Sequence, residues 1–163
     1  MLKHLLLALL FSFSLLTKAQ NLAIEIGEIN NGAIEINKSQ NALVKAFEWT
    51  FRDGTKVSEL KIEQLSNTWF LIATCAHQGK KRMAAVNLDL LGLKFMLNED
   101  AFFKMCSAVA CENCRFFMEN NKIIACKCEE TGTISNHCHY RSSNAITFFA
   151  NFQRALRMGE KED

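Results

Sequence analysis

Single polar residues separate apolar ones in two short runs of the chain. Residues 23–26 and 33–36 both read Ala-Ile-Glu-Ile, and this alternation is the pattern of half-buried β-strands. The sequence Asn-Asn-Gly at 30–32 lies between the two runs. Because Asn and Gly accept the positive φ angles of tight turns, the pattern predicts two strands joined by a hairpin turn.

The apolar spacing then changes to that of an amphipathic helix. Within residues 40–50, Leu43 and Phe47 fall on one helical face. Ser39 can cap the start with a side-chain hydrogen bond, and the sequence Arg-Asp-Gly-Thr at 52–55 is typical of a turn. We therefore predict a helix over 40–50.

Sequences rich in β-branched and aromatic residues return after this helix. They predict four strands, at 56–65, 68–75, 82–90 and 93–97. A polar hairpin loop is expected at 77–80. Successive strands joined by short polar loops favour antiparallel pairing.

A second helix is predicted over 144–158, where one face would carry Ile146, Phe149, Phe152 and Leu156. The predicted fold class is α+β. It consists of an antiparallel sheet with a flanking N-terminal helix, a disulfide-tied cysteine-rich loop at 106–138, and a C-terminal helix. We expect one domain over 20–163, which divides into the helix plus sheet (20–97), a cysteine-rich segment (98–142) and the C-terminal helix (143–158).

An apolar N-terminal segment predicts export. A basic residue, Lys3, precedes an apolar run at 5–16, and Thr-Lys-Ala at 17–19 supplies small residues for cleavage before Gln20. These are the parts of a secretory signal peptide. The run is too short for a membrane-spanning helix, which needs about 20 apolar residues. We therefore expect residues 1–19 to be removed and the mature chain to be secreted or periplasmic.

The charge of the chain excludes one class of partner. There are 19 basic and 17 acidic residues, and loss of Lys3 and Lys18 with the signal peptide leaves 17 of each. A nucleic-acid binder needs a concentrated basic face, so no nucleic-acid partner is expected. The sequence contains no GxSxG, HExxH or phosphate-binding glycine loop, which are signatures of common enzyme classes. We expect a binding function rather than an enzymatic one, with the ligand or partner unidentified.

Six of the seven cysteines are concentrated in one segment of the chain. They follow the pattern C-x4-C-x2-C-x11-C-x-C-x9-C, and they are Cys106, Cys111, Cys114, Cys126, Cys128 and Cys138. In an exported chain such a cluster predicts a disulfide framework. Each bond constrains the unfolded chain and contributes about 2–4 kcal/mol to stability. The seventh cysteine, Cys75, is then the odd thiol. Three alternatives are open for it: a buried, inert free thiol, a bond between two chains, or replacement of one of the six in the framework.

Six cysteines can pair in 15 ways. Cys126 and Cys128 are two residues apart on an extended segment, so both point to one face and each needs a partner elsewhere. The C-x2-C segment of Cys111 and Cys114 is a suitable facing pair. The resulting interpretation joins Cys111 and Cys114 to Cys126 and Cys128, and Cys106 to Cys138.

The same cysteines also allow a metal-site interpretation. Cys106, Cys111 and Cys114 have the C-x4-C-x2-C spacing of plant-type 2Fe–2S ferredoxins. Cys126 or Cys138 is available as the fourth ligand. The intervening sequence Ser-Ala-Val-Ala lacks the glycines that let backbone amides approach the sulfur atoms of such a cluster, which counts against it.

Zinc is the second metal alternative, because structural zinc sites combine four Cys and His ligands. His137 and His139 flank Cys138 and could join the cysteines of the cluster. The C-x-C spacing of the later cysteine pair departs from the usual C-x2-C. A redox-active C-x2-C at Cys111 and Cys114 is a further alternative, but no βαβ unit surrounds it as such sites require.

The cysteine-rich sequence resembles that of a group of known proteins. The run CSAVACENCRFFMENNKIIACKC (106–128), followed by NHCHY (136–140), is similar to small, uncharacterised secreted bacterial proteins with a C-x4-C-x2-C and C-x-C cluster. The likeness covers about residues 55–140, while Cys75 and the helical tail depart from it. The resemblance implies no activity. The expected function is an exported, disulfide-stabilised binding or interaction module, with a metal-site protein as the alternative.

Overall fold

A computed structural model describes residues 22–129 and 138–159. The predicted signal peptide at 1–19 lies outside these residues, as does His137. Strands account for 58% of the described chain, so the protein is richer in β-structure than the α+β prediction implied. Both predicted helices are present, and neither has the length and apolar character needed to cross a membrane.

The described residues form ten strands and two helices. The strands are β1 (Ala23–Asn30), β2 (Ala33–Ile36), β3 (Lys56–Leu65), β4 (Thr68–His77), β5 (Lys80–Leu91), β6 (Lys94–Asn98), β7 (Phe102–Ala108), β8 (Cys114–Glu119), β9 (Lys122–Cys128) and β10 (Cys138–Asn144). The helices are α1 (Gln40–Phe51) and α2 (Ile146–Gly159). The elements predicted before residue 98 are confirmed. Ser39 caps α1 as predicted, because its Oγ accepts a hydrogen bond from the Ala42 N–H at 3.3 Å.

The predicted loop at 106–138 is wrong in its described part, because most of that segment forms strands. Asn120 and Asn121 have φ angles of 48° and 63° and make a two-residue hairpin turn between β8 and β9, of the kind that Asn and Gly favour. The polar, cysteine-rich composition suggested a loop. In the structure the buried side of these strands is formed largely by the cysteines, which pack as small apolar residues.

β5 is the central strand of an eight-stranded antiparallel sheet. Its first part pairs with β4 on one edge and β7 on the other, and its last residues pair with β6. The order continues from β7 to β10, and from β6 through β1 to β2, while β3 lies beside β4. A separate hairpin, β8–β9, packs over this sheet.

The sheet curls into a nearly closed barrel, and strand β1 approaches β2 and β3 closely at Gly27. A Cβ atom at Gly27 would collide with the backbone carbonyl oxygen of Glu35 in β2 and would lie 2.9 Å from Cδ1 of Ile62 in β3. The register between β1 and β6 also shifts between Glu25 and Gly27, which marks a β-bulge. Only a residue without a side chain permits this close approach.

The two faces of the sheet are covered by different structures. On one, called the helix face, α1 and α2 form the main core, where the rings of Phe47 and Phe148 lie 4.5 Å apart between centroids. On the other, called the sulfur face, the β8–β9 hairpin covers Phe70, Ile72 and Ala85. Successive residues of a strand point to opposite faces, so β4 and β5 contribute to both cores.

The buried face of α2 differs from the prediction. Ile146 is 58% exposed, whereas Phe148 is fully buried together with Phe149 and Phe152. Ile146 is the first residue of the helix and lies beyond the packed layer. Phe148 instead enters the core beside Phe47, which fixes the rotation of the helix.

Candidate functional site

The sulfur face carries both disulfide bonds of the described residues. Cys106 of β7 is bonded to Cys126 of β9, with a Cα–Cα distance of 5.7 Å. Cys114 of β8 is bonded to Cys138 of β10, with a Cα–Cα distance of 6.0 Å. Each bond therefore ties one strand of the hairpin to one strand of the sheet beneath it.

The predicted disulfide pairing is wrong in its partners. Pairing Cys111 and Cys114 with Cys126 and Cys128 would cross-link the hairpin segment to itself. Cys126 and Cys128 are both buried in the same core, as expected for neighbours on one strand face. That face points at the sheet, so Cys126 finds its partner in β7 rather than within the hairpin.

Three sulfur atoms come together at one end of the hairpin. The Sγ atom of Cys111 lies 3.3 Å from that of Cys114 and 3.3 Å from that of Cys138. All three atoms lie within 4.8 Å of one another, and we call these residues the sulfur cluster. Cys128 is buried directly across the β8–β9 ladder from Cys114. Sulfur is a preferred ligand of structural zinc, so the cluster has the composition of a metal site.

Three other residues of the predicted metal sets, Cys106, Cys126 and His139, lie apart from the sulfur cluster. Cys106 is bonded to Cys126, so it is separated from Cys111 and Cys114, the other two cysteines of the ferredoxin-type spacing. His139 alternates with Cys138 along β10, so it points to the helix face and lines a groove there. His137 lies outside the described residues.

Cys75 is separated from the other six cysteines by the sheet. It belongs to the core of the helix face, whereas the others belong to or pack against the core of the sulfur face. Its side chain is 2% exposed and lies outside both disulfides. Burial raises the pKa of the Cys75 thiol to about 12, so the thiolate needed for reaction is scarce at neutral pH.

An open groove of about 700 Å³ crosses the helix face between the end of α1 and the start of α2. Strands β5, β7 and β10 form its floor, and we call it the basic groove. Arg82, Ser107 and His139 lie side by side across these three strands. In the next row Met105 is paired with Arg141. The register therefore places polar and basic side chains beside an apolar one.

The hydroxyl of Ser107 is a buried polar atom that lacks a hydrogen-bond partner among the described residues. Ser107 is only 9% exposed and lines the basic groove. A buried hydroxyl without a partner costs about 1–3 kcal/mol. Its position makes this group available to a molecule bound in the groove.

Arg82 is held in place at one end of the groove. Its guanidinium lies 2.6 Å from Oδ2 of Asp53, donates to Oγ1 of Thr55, and stacks 5.4 Å from the ring centroid of Phe51. Partial burial raises the pKa of Asp53, but hydrogen bonds from Thr55 and Arg82 outweigh burial and lower that pKa to about 2. Asp53 thus balances the charge of Arg82. Arg141 has no ion-pair partner within the described chain.

Of the groove residues, only His139 was predicted from the sequence as a candidate site residue, and it was predicted as a zinc ligand rather than as part of a groove. Phe103, Met105 and Ser107 alternate on the same face of β7, so Ser107 is a polar residue in an apolar series. Arg82 is likewise a polar residue on the same face of β5 as the apolar Ala84 and Val86. A polar residue at a core-facing position is the signal that points to such a site.

The chain was compared with families and structures of known proteins. The resemblance of residues 55–140 to secreted bacterial proteins stays a prediction. No family model matches the chain, and neither a curated protein nor a solved structure is significantly similar to it.

Proposed function

We propose that this chain is a small exported binding module that holds an anionic small molecule in the basic groove. A volume of about 700 Å³ is within the usual range of small-molecule sites, about 300–1,000 Å³. Such sites combine apolar walls with a few convergent polar groups, and the groove has both. The disulfides of the opposite face stabilise the fold that carries it.

The observation that carries the proposal is that the buried hydroxyl of Ser107 has no hydrogen-bond partner among the residues that the structure describes. Native proteins pair nearly all buried polar atoms with protein, water or ligand. Ser107 lies in the floor of the groove between Arg82 and His139. An acceptor atom of a bound ligand would satisfy this hydroxyl and would be surrounded by N–H donors.

The charges in the groove favour an anion. Arg82 is neutralised by Asp53 at 2.6 Å, whereas Arg141 has no such partner among the described residues and lines the same groove. A guanidinium forms bidentate hydrogen bonds with a carboxylate or phosphate. One uncompensated cation beside a hydroxyl therefore fits a singly charged head group.

The apolar side chains of the groove favour a ligand with a hydrocarbon or aromatic body. Phe51, Phe103 and Met105 line the groove between its polar ends. Burial of apolar ligand surface against them would contribute about 25 cal/mol per Å². The ligand class proposed is therefore an amphipathic carboxylate.

Calorimetric titration and thermal unfolding with octanoate test this proposal, with the neutral octanamide as the matched compound. Octanoate is expected to bind and to raise Tm, because a ligand that binds only the native state stabilises it by about 2.7 kcal/mol at 100 times its Kd. Octanamide has the same chain without the charge and should bind at least about tenfold more weakly. Equal binding of the two compounds, or no binding of octanoate, contradicts the proposal.

Two substitutions locate the site. Ser107→Ala removes the unpartnered hydroxyl, so the unliganded protein should be as stable as the wild type or more stable by about 1 kcal/mol. The same variant should bind octanoate about tenfold more weakly. Arg141→Gln should weaken binding similarly, whereas Arg115→Gln in the hairpin on the opposite face should not. A destabilised Ser107→Ala variant with unchanged binding assigns a purely structural role to Ser107.

Export is the second part of the proposal. Disulfides persist in secreted and periplasmic proteins and are rare in the cytosol, and the two bonds on the sulfur face agree with this compartment. N-terminal sequencing of the exported protein is expected to begin at Gln20. An exported protein that retains Met1 contradicts cleavage of a signal peptide.

A further inference from the structure

We propose that the reduced protein binds one zinc ion through Cys111, Cys114, Cys128 and Cys138. This site lies on the sulfur face and does not depend on a ligand in the basic groove. Its four residues come from the loop before β8, from β8 itself, from the end of β9 and from the start of β10. A metal ion there would join the hairpin to the sheet.

The spacing of the sulfur atoms fits a single ion. Zn–S bonds of about 2.3 Å in a tetrahedral site place the sulfur atoms about 3.8 Å apart. The Sγ atom of Cys111 lies 3.3 Å from those of Cys114 and Cys138, and the three lie within 4.8 Å of one another. The Sγ atoms of Cys114 and Cys138 are bonded to each other, so after reduction they need to move apart by about 2 Å to surround one ion together with the Sγ atom of Cys111.

Cys128 is the fourth ligand, because the hairpin register places it opposite Cys114. Directly opposed residues of an antiparallel pair have Cβ atoms about 4.5–5.5 Å apart on the same face. The Glu129 N–H donates to the Asn113 carbonyl oxygen at 3.0 Å. This bond holds the loop that contains Cys111 against the end of β9, where Cys128 lies.

A single zinc ion fits this site better than an iron–sulfur cluster. Structural zinc sites are closed and tetrahedral with four protein ligands, and Cys114, Cys128 and Cys138 are all buried. A 2Fe–2S cluster must also accommodate a second metal ion and two sulfides. Its expected ligand Cys106 faces Cys126 of β9, with a Cα–Cα distance of 5.7 Å, and does not belong to the sulfur cluster.

Zinc binding requires reduction of the bond between Cys114 and Cys138. A phosphine or a dithiol supplies the two electrons, and the S–S bond breaks to give two thiols. With a phosphine, one water molecule supplies both thiol protons and the oxygen of the phosphine oxide; a dithiol supplies the two protons itself and becomes a disulfide. The zinc ion then replaces thiol protons, which pass to solvent. The disulfide and the zinc complex are therefore alternative states of the same sulfur atoms, selected by the redox conditions.

Metal content after reduction tests the proposal. The protein is reduced anaerobically with a phosphine, incubated with zinc and freed of unbound metal, and one zinc per chain is expected. Cobalt in place of zinc should give the thiolate-to-metal charge-transfer band and the visible bands of a tetrahedral thiolate site. Absence of bound zinc overturns the proposal, as does uptake of iron and sulfide with cluster absorbance that zinc does not displace.

Substitutions and chemical protection identify the ligands. Loss of a residue that only supports a metal ligand weakens metal binding about 10–100-fold. Cys111→Ser and Cys128→Ser each remove a ligand itself, so zinc retention should weaken by at least about 100-fold. Cys75→Ala, a buried thiol on the other face, is the matched control and should retain zinc fully. Unchanged zinc affinity in either ligand variant overturns the assignment.

A measurement on the unmodified chain guards against variants that do not fold. Zinc should protect four cysteines of the reduced protein from alkylation, and mass spectrometry of the peptides should identify them as Cys111, Cys114, Cys128 and Cys138. Cys106 and Cys126 should be no better protected with zinc than without it. Zinc-dependent protection of Cys106 and Cys126 instead assigns the metal to a different set and contradicts the proposal.

Discussion

The helix face and the sulfur face share one sheet but are stabilised by different interactions. On the helix face, large aromatic side chains such as Phe47, Phe148 and Phe152 are fully buried, and each contributes about 1.5–3 kcal/mol by leaving water. On the sulfur face the covering layer is a two-stranded hairpin, which by itself is marginal in water. Two disulfides attach it to the sheet. The two disulfides thus supply the stability that the small apolar surface of the hairpin does not.

The two faces also differ in what they leave open. Helices α1 and α2 do not cover the whole helix face, and the uncovered part is the basic groove. The hairpin covers its face closely enough that five of its six cysteines are buried. A ligand can therefore enter from the helix side, while the buried sulfur atoms on the other side link the hairpin to the sheet.

Truncation of one aromatic residue on each face should give the largest contrast. Phe148→Ala should cost about 3–5 kcal/mol, because it leaves a cavity in the aromatic core. Phe116→Ala on the sulfur face should cost less than this while both disulfides hold the hairpin in place. Urea unfolding followed by circular dichroism measures both values. Equal losses would show that the two cores do not differ in kind.

Removal of one cross-link should give the next largest effect. The double variant Cys106→Ala/Cys126→Ala lacks a bond that closes a loop with a sequence separation of 20. It should lose about 2–4 kcal/mol under non-reducing conditions. Denaturant unfolding measures the loss, with the Cys75→Ala variant unfolded in parallel. A double variant as stable as the wild type would show that packing alone holds the hairpin.

A methyl group at Gly27, where β1 closely approaches β2 and β3, should have an intermediate effect on stability. Gly27→Ala places Cβ against the Glu35 carbonyl oxygen and Ile62, and overpacking of this kind costs about 1–3 kcal/mol. Gly159→Ala is the control, because a Cβ there meets no atom within 4 Å. Thermal unfolding of both variants shows whether the helix-face core, which includes Ile62, depends on this approach.

Acid should slightly lower the free energy of unfolding, because it protonates Asp53 beside the helix face. Its folded-state pKa of about 2 is below the ordinary value of 3.8, so the ionised form stabilises the fold above about pH 4, and this contribution is lost as pH falls toward 2. The carboxylate is 38% exposed, and solvent screening keeps the effect below about 1 kcal/mol. The stability difference between wild type and Asp53→Asn should shrink over this range. A difference that is constant with pH would exclude the ion pair as its source.

Local patterns predicted the elements that depend on neighbouring residues. The helix cap at Ser39, the Asn31–Gly32 turn and the strands from 56 to 97 follow from alternation and turn chemistry. The β8–β9 hairpin was missed because its turn residues, Asn120 and Asn121, stand in a segment whose cysteines suggested a loop. Asn120 and Asn121 are a second pair of asparagines between two alternating runs, after the pair at 30–31. This pair was the sequence signal for the missed hairpin turn.

Contacts between distant parts of the chain were not predictable in the same way. The disulfide partners depend on which strand lies beneath the hairpin, and Cys106 comes under Cys126 only because β7 pairs with β5 and β10. The groove depends on the same register, since Arg82, Ser107 and His139 are far apart in the chain. Only the individual polar positions in apolar series were visible in the sequence.

The location of Cys75 has a consequence for oxidation of the whole molecule. In a chain with seven cysteines, disulfide pairing always leaves at least one thiol over, and that thiol can form a non-native disulfide with any of the others. Because Cys75 is enclosed beneath the helices, across the sheet from its competitors, a mismatched bond to it can arise only before the sheet assembles or after it opens. Covalent dimers joined at Cys75 therefore record a past unfolding event and not the reactivity of the native surface.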